Sequence, residues 1–293
     1  MSWLTQPWEH PFMQNAFLAA MLVGLICGVI GVFVVLKGLA FMGDALSHAI
    51  FPGIVIAYLW GANYLIGALI AAVVVSLLIG QASSHTHIKN DTAIGVFFVG
   101  AFALGIALIS TQRTYTRDLT SFLIGSILGV SRNDLYLTAA VGALVLLVVA
   151  LTRRELTSIA FDPVFSQAEG IDVRFYEQLF FVMLSLAIVI SLQTVGNILV
   201  LALLVTPAAT ARLLTDRLVA MIGISALLGA LSGLLGLYFS YHFSLASGAS
   251  VVLVATAFFI AAYLFAPQTG VATQYVRRRI HFPHPERDVF SSP

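Results

Sequence analysis

The stretch NAFLAAMLVGLICGVIGVFVVL, residues 15–36, runs from Asn15 to Leu36 without a charged residue. At the ~1.5 Å rise per residue of an α-helix it is long enough to cross a hydrocarbon core roughly 30 Å thick. It carries no stripe of polar residues, so it does not read as a surface helix of a soluble domain. No Lys or Arg precedes it, and its apolar core exceeds the roughly 7–15 residues of a signal peptide, so it reads as a retained span.

Apolar runs of this kind recur as far as residue 266. The chain of 293 residues is 60% hydrophobic and 9% charged, against roughly 25% charged residues in ordinary soluble domains. That composition specifies an all-α, polytopic transmembrane helical bundle. Hydrophobic runs between polar breaks predict about eight spans, at about 15–36, 63–82, 92–110, 134–152, 176–194, 197–214, 218–240 and 249–266. Two shorter apolar pieces, 44–60 and 119–130, read as broken helices or re-entrant segments, which are tolerated at membrane depth where protein or a water-filled cavity covers the backbone. The division expected is a transmembrane domain over residues 1–266 and a polar cytosolic tail over 267–293. No repeat or low-complexity linker divides the chain.

Eight crossings with the N-terminus inside place Lys89, Arg153, Arg154, Arg174, Arg212, Arg217, Arg277, Arg278, Arg279 and Arg287 in the cytoplasm. Lys37, Arg113, Arg117 and Arg132 fall outside. Ten against four agrees with the positive-inside rule. The net charge of +1 gives no reason to expect a nucleic-acid partner. Small residues spaced by four occur at Gly24/Gly28, Gly125/Gly129 and Gly229/Gly233, a pattern that lets helices pack closely within one chain. Pro207 removes a hydrogen bond inside its span and predicts a kink. Cys27, the single cysteine, has no partner for a disulfide and reads as a packing residue.

The polar residues that break this pattern carry the chemistry. In GDALSHAIFPG, residues 43–53, Asp44 and His48 are four apart and share one helix face, with Ser47 beside them. A carboxylate in lipid costs on the order of 3 kcal/mol and faces a cavity or a partner. One reading is a hydrogen-bonded pair or an N-cap that fixes packing. The other is a metal site, because carboxylate oxygen with imidazole nitrogen suits Mn²⁺, Fe²⁺ or Zn²⁺ and the lack of sulfur disfavours Cu(I). Two ligands do not hold a divalent ion alone; the same pair from a second subunit makes four.

The longest polar segment between spans, FDPVFSQAEGIDVRFYEQ (161–178), follows Arg153 and Arg154 and suits a short cytoplasmic surface helix or a plain solvated loop. His85 and His87 form a His-x-His pair with no third ligand nearby, and His281 and His284 lie in the polar tail. His242 reads as an interfacial packing residue near an outer helix end. Lys37 and Lys89 follow no Gly-rich phosphate loop, and neither H-E-x-x-H nor G-x-S-x-G is present. Any ATP used must bind another polypeptide, so the chain reads as a transport subunit and not an enzyme.

Taken together, GDALSHAIFPGIVIAY (43–58), DTAIGVFFVGAFALGIAL (91–108), FLIGSILGV (122–130), VGNILVLALLVTPAATARLL (195–214) and SGASVVL (247–253) resemble the successive signatures of the membrane subunits of ABC importers for manganese, zinc and iron, in register over about 12–266. One departure is that relatives often have a proline near Ser247–Ser250. The resemblance implies a bacterial inner-membrane permease that pairs with a second copy or a paralogue. It also implies a cytosolic ABC ATPase dimer as partner and an extracytoplasmic metal-binding protein that delivers the ion. It makes Asp44 and His48, with Ser47 in support, the expected ion site. Segment 161–178, with Asp162, Pro163, Glu169, Gly170 and Arg174, becomes the expected ATPase contact. No cofactor is expected to stay bound; the metal is cargo, closest to manganese or iron by the opening WEHPFMQNAFLAAMLVG and VLKGLAFMGDALSHA, with zinc as the alternative. The competing class is a secondary transporter that uses Asp44 and His48 as a proton relay.

Overall fold

The structure is a computed structural model that describes residues 5–85, 90–111, 127–266 and 270–271. The polar tail and residues 112–126 lie almost wholly outside the described residues, as do His87, His281 and His284.

The described chain forms helices α1 (Pro11–Leu36), α2 (Met42–Ala49), α3 (Phe51–Leu59), α4 (Tyr64–His85), α5 (Asn90–Ser110), α6 (Arg132–Leu151), α7 (Arg153–Phe161), α8 (Pro163–Ala168), α9 (Val173–Val195), α10 (Asn197–Leu214), α11 (Leu218–Phe243) and α12 (Ser247–Phe265). Short 3₁₀ turns precede α1 and α6. Among the described residues, nine stretches are long and apolar enough to cross a membrane. Each of the eight expected spans is present. The ninth is Met42–Leu59, α2 and α3 in tandem, so the apolar piece at 44–60 is a broken helix with the reach of a full crossing.

Helix α1 is the axis of the bundle. It is apolar on every side and buried over most of its surface: Phe17, Val23, Ile26, Ile30 and Phe33 are fully buried, while Leu18 and Leu25 mark one exposed stripe. Pro11 starts it where a missing N–H costs nothing. The small-residue motifs that stand apart in sequence meet here. A Cβ on Gly24 would strike the backbone of Gly229, and one on Gly28 would lie 2.7 Å from the Ser225 carbonyl oxygen. The Ser225 hydroxyl donates to the Gly28 carbonyl at 2.6 Å. The intrachain packing expected of these small residues is thus found at the α1–α11 crossing, where Gly24 meets Gly229, Gly28 meets Ser225 and Gly233 meets Ala20. Gly125 lies outside the described residues.

Other polar groups inside the bundle are bonded across helices. Thr138 of α6 and Thr194 of α9 are buried and 2.8 Å apart. Cys27 is buried, with its sulfur 3.7 Å from the Ser191 hydroxyl, and packs α1 on α9 as expected. Helix α10 continues through the buried Pro207, which supplies no N–H to the carbonyl one turn before it. The first turn of α6 is closed by a capping box in which Ser131 and Asp134 bond each other's backbone N–H.

The geometry corrects the expected orientation. The Lys37 ammonium, assigned to the outer side, lies 3.4 Å from Glu177 at the start of α9. Leu36 and Leu218, the first residue of α11, pack against the same buried cluster of Val32, Ala208, Ala211 and Met221. The end of α1 therefore shares a face with Arg153, Arg154, Arg174, Arg212 and Arg217. At the other end of α1, Asn15 donates to the Val130 carbonyl at 3.3 Å, and Trp8 and His10 bond Tyr238 and Tyr241 near the end of α11. Among the described residues, that opposite face carries Arg132. By the positive-inside rule the start of α1 is extracytoplasmic and α12 ends on the cytoplasmic side. The expectation erred through parity: leaving 44–60 out of the count reverses every helix before it.

Candidate functional site

The ion-site candidates sit on the first half of the broken span. Lys37 and Gly38 end α1, and a turn whose Gly38 has φ +68° leads into α2. A left-handed φ is free of steric cost only for glycine. Helix α2 ends at Ala49 because Pro52 cannot supply the N–H that a continuous helix would offer to the His48 carbonyl. The chain then restarts as α3 with Pro52 in its first turn.

Asp44 and His48 share one face of α2, as the spacing requires. His48 Nε2 lies 3.6 Å from Asp44 Oδ1, and their side chains are 33% and 37% exposed. At that distance the pair is in ionic reach without a formed hydrogen bond. The imidazole faces the Phe98 and Phe102 rings of α5 at 5.8 and 5.6 Å, with Phe102 meeting it edge-on. Ser47 is turned to the other side. It is fully buried and donates to the Gly43 carbonyl at 2.9 Å. Beneath it Gly43 packs against α10, where a Cβ would come 2.9 Å from Leu204. The helix thus presents a carboxylate and an imidazole on an open face and anchors itself with small residues on the other.

No cluster of three or more His, Cys, Asp or Glu side chains able to hold a metal occurs among the described residues. Asp44 and His48 offer half of a tetrahedral set. An apolar cleft of about 710 Å³ lies between α3, α4 and α5 around Pro52, Trp60, Gly67 and Gly100, and includes neither residue.

On the cytoplasmic side, the expected ATPase contact is a compact helical hook. Asp162 caps α8 by accepting the Phe165 N–H at 2.9 Å, and Pro163 opens that helix. Gly170, at φ +84°, makes the reverse turn. Asp172 caps α9 through the Phe175 N–H at 3.1 Å. Three of the five expected contact residues, Asp162, Pro163 and Gly170, therefore build the hook. Glu169 lines a polar cleft of about 350 Å³ with Arg154, Glu155 and Ser158. Arg174 stands on the first turn of α9. The residues that project are apolar: Phe161, Val164 and Phe165 are 72%, 77% and 57% exposed. Sequence reading missed them, although three apolar residues between charged neighbours outside every predicted span were the available signal.

At the outer face His242 stacks on Tyr238 and meets Tyr241 edge-on, with Trp8 stacked on Phe17 nearby. This is the interfacial aromatic packing expected of His242. The side chain of His85 lies outside the described residues.

The chain is 50% identical, over 92% of both sequences, to the manganese transport system membrane protein MntC of Halalkalibacterium halodurans. It is 42% identical, over 89% of its length and 92% of the other's, to the manganese import system permease protein ScaB of Streptococcus parasanguinis. Among solved structures it matches PsaBC from Streptococcus pneumoniae in complex with Fab, with a TM-score of 0.80, 37% identity and coverage of 95% of this chain and 99% of that one. The model of the ABC 3 transport family matches residues 9–266, and the chain belongs to that family.

Proposed function

We propose that this chain is the membrane permease subunit of an ATP-driven importer of divalent transition-metal ions, and that manganese is its cargo. It is a multi-span protein of the bacterial inner membrane. The observation that carries the reading is the Asp44–His48 pair: a carboxylate and an imidazole 3.6 Å apart, half open, on a helix that breaks within a span. Family membership and relatives named for manganese support the cargo.

The donor chemistry suits a first-row divalent ion, and the number of donors suits a passing one. Two ligands from each of two permease chains, identical or paralogous, give a four-donor site that forms and dissolves as the chains move. Ser47 is buried and its hydroxyl is already used on the Gly43 carbonyl, so its part is to support α2 and not to ligate the ion. The ion arrives on the extracytoplasmic face from a metal-binding protein. ATP is hydrolysed by a separate cytosolic dimer, which docks on the α7–α8 hook through Phe161, Val164 and Phe165. A water-exposed apolar cluster of that kind is a contact surface.

The test is uptake of radiolabelled Mn²⁺ by the complete complex in vesicles, at equal membrane abundance of permease. Asp44→Asn and His48→Ala should each abolish most uptake while the protein remains inserted. Wild-type uptake by the double variant would show that the pair only packs the helix. Competition by Zn²⁺ and Fe²⁺ in the same vesicles ranks the cargo. Uptake by the permease alone under a proton gradient would instead favour a proton-coupled transporter.

A further inference from the structure

Lys37 is a lysine buried at the cytoplasmic end of α1, with a side chain 8% exposed. Its Nζ lies 3.4 Å from Glu177 Oε1 and 5.6 Å from the centroid of the Phe180 ring. Glu177 and Phe180 are three apart on α9, so one face of that helix receives the ammonium with a carboxylate and a π-face together. Burial pushes the pKa of Lys37 down, and Glu177 opposes that shift.

What the pair joins gives it meaning. On the Lys37 side, the turn to α2 is held by its own backbone. Lys37, Gly38 and Leu39 donate to the carbonyls of Phe33, Val35 and Val34 at 3.0, 3.2 and 2.9 Å, and Met42 donates to Leu39 at 2.9 Å. Leu39 is buried beneath it. A displacement of Lys37 therefore moves the start of α2, and Asp44 is that helix's third residue. On the Glu177 side, α9 begins at the Asp172 cap that closes the cytoplasmic hook, and α7 packs on both α1 and α9.

We infer that the Lys37–Glu177 ion pair is a strut through which the cytoplasmic hook positions Asp44 and His48. The inference rests on the reading of α7–α8 as the ATPase contact. An apolar contact at this place would let the two helices slide past one another. A buried ammonium whose partner is withdrawn is left uncompensated, at a cost well above that of a broken surface pair. The two helix ends therefore move as one, and motion imposed on the hook reaches the ion-binding face. Lys37 and Glu177 are positioning residues: neither touches the ion.

The experiment measures Mn²⁺ uptake and ATP hydrolysis in the same vesicles, with the permease, its ATPase and the delivering protein together, and takes the ratio of ions moved per ATP. Glu177→Gln and Lys37→Met should lower that ratio about fivefold or more, with the ATPase still co-purifying. Lys37→Arg should preserve it, and the charge swap Lys37→Glu with Glu177→Lys should recover most of it. A merely structural pair would lower uptake and hydrolysis in parallel, and an unchanged ratio in Glu177→Gln overturns the strut even if Lys37→Met fails to insert. A swap no better than the single variants also overturns it. Val164→Arg separates the two levels of the argument. If that variant keeps its ATPase and its transport, the docking reading fails. If it loses the ATPase while Glu177→Gln retains the wild-type ratio, the strut alone fails.

Discussion

Gly24→Ala should destabilise the bundle more than its single added methyl suggests. The new Cβ would stand 2.5 Å from the Gly229 carbonyl carbon and 2.9 Å from the Ala230 nitrogen, where ordinary contact begins near 3.4 Å. These neighbours are backbone and cannot rotate away, and the Gly229 carbonyl oxygen is nearer still, so α1 and α11 must separate by about 1 Å. The same separation lengthens the bond between Ser225 and Gly28 from 2.6 Å toward the limit of hydrogen bonding. It also opens a gap along the crossing that forfeits a quarter to a half of each dispersion contact there. Overpacking at about 1–3 kcal/mol and an interhelical hydrogen bond at about 0.6 kcal/mol give an expected loss of about 1.5–3.5 kcal/mol. Reversible unfolding in mixed detergent micelles measures it. Gly223→Ala is the control: it lies on α11, the other helix of the crossing, with nothing within 4 Å of the added Cβ, and it should be neutral or slightly stabilising through helix propensity. Gly24→Ala and Gly229→Ala together should cost less than the sum of the single changes, because one opening accommodates both. A Gly24→Ala protein within about 0.5 kcal/mol of wild type would refute the close crossing.

Cys27→Ser should leave uptake intact, since the thiol sits in a packed interior, and it supplies a cysteine-free background. In that background a cysteine at Glu9 should react with a membrane-impermeant maleimide added to intact cells, and one at Asp216 only after permeabilisation; the reverse pattern would restore the N-inside orientation. Ser225→Ala should cost about 0.6 kcal/mol in the micelle assay, because only the hydroxyl bond to Gly28 is lost. The depressed pKa of Lys37 gives a pH test of its burial. Between the folded-state value and the ordinary 10.5 the unfolded chain holds more protons, so stability should rise with pH in that window and Lys37→Met should flatten the rise.

Most of the bundle was legible because lipid leaves few options: apolar runs of sufficient length must be helices, and their ends fell within a few residues of the polar breaks. The 44–60 piece was harder for a physical reason. Its Asp, His, Ser and Pro residues lower its apolarity, and a proline break makes two short helices of one crossing. Misreading that one segment reversed the expected side of Lys37, since parity passes along the chain. The i,i+4 spacing placed Asp44 and His48 together, but it could not show which side Ser47 faces, because i,i+3 neighbours diverge once one of them bonds the preceding turn. Segment 161–178 displayed its capping residues, which do not say which side chains project. Asp162 and Gly170 are informative about the turn, whereas exposure of Phe161, Val164 and Phe165 is a property of the folded hook.

If Asp44 and His48 form the ion site proposed above, their incomplete coordination agrees with passage better than with storage. A site that closes four ligands around an ion within one rigid chain holds it for as long as the chain keeps its shape, and release then waits on local unfolding. Splitting the ligands between two chains makes affinity a function of their separation, so a small rotation of α2 exchanges a bound state for an unbound one. Such a design requires that α2 move as a unit. The break at Ala49–Phe51 frees α2 from α3, Gly43 seats it against α10, and Lys37 ties its start to the helix leaving the cytoplasmic hook. In this arrangement the carboxylate and the imidazole need no partner within their own chain. What the fold must supply is control over where their helix points, and three separate features of the sequence around it do that.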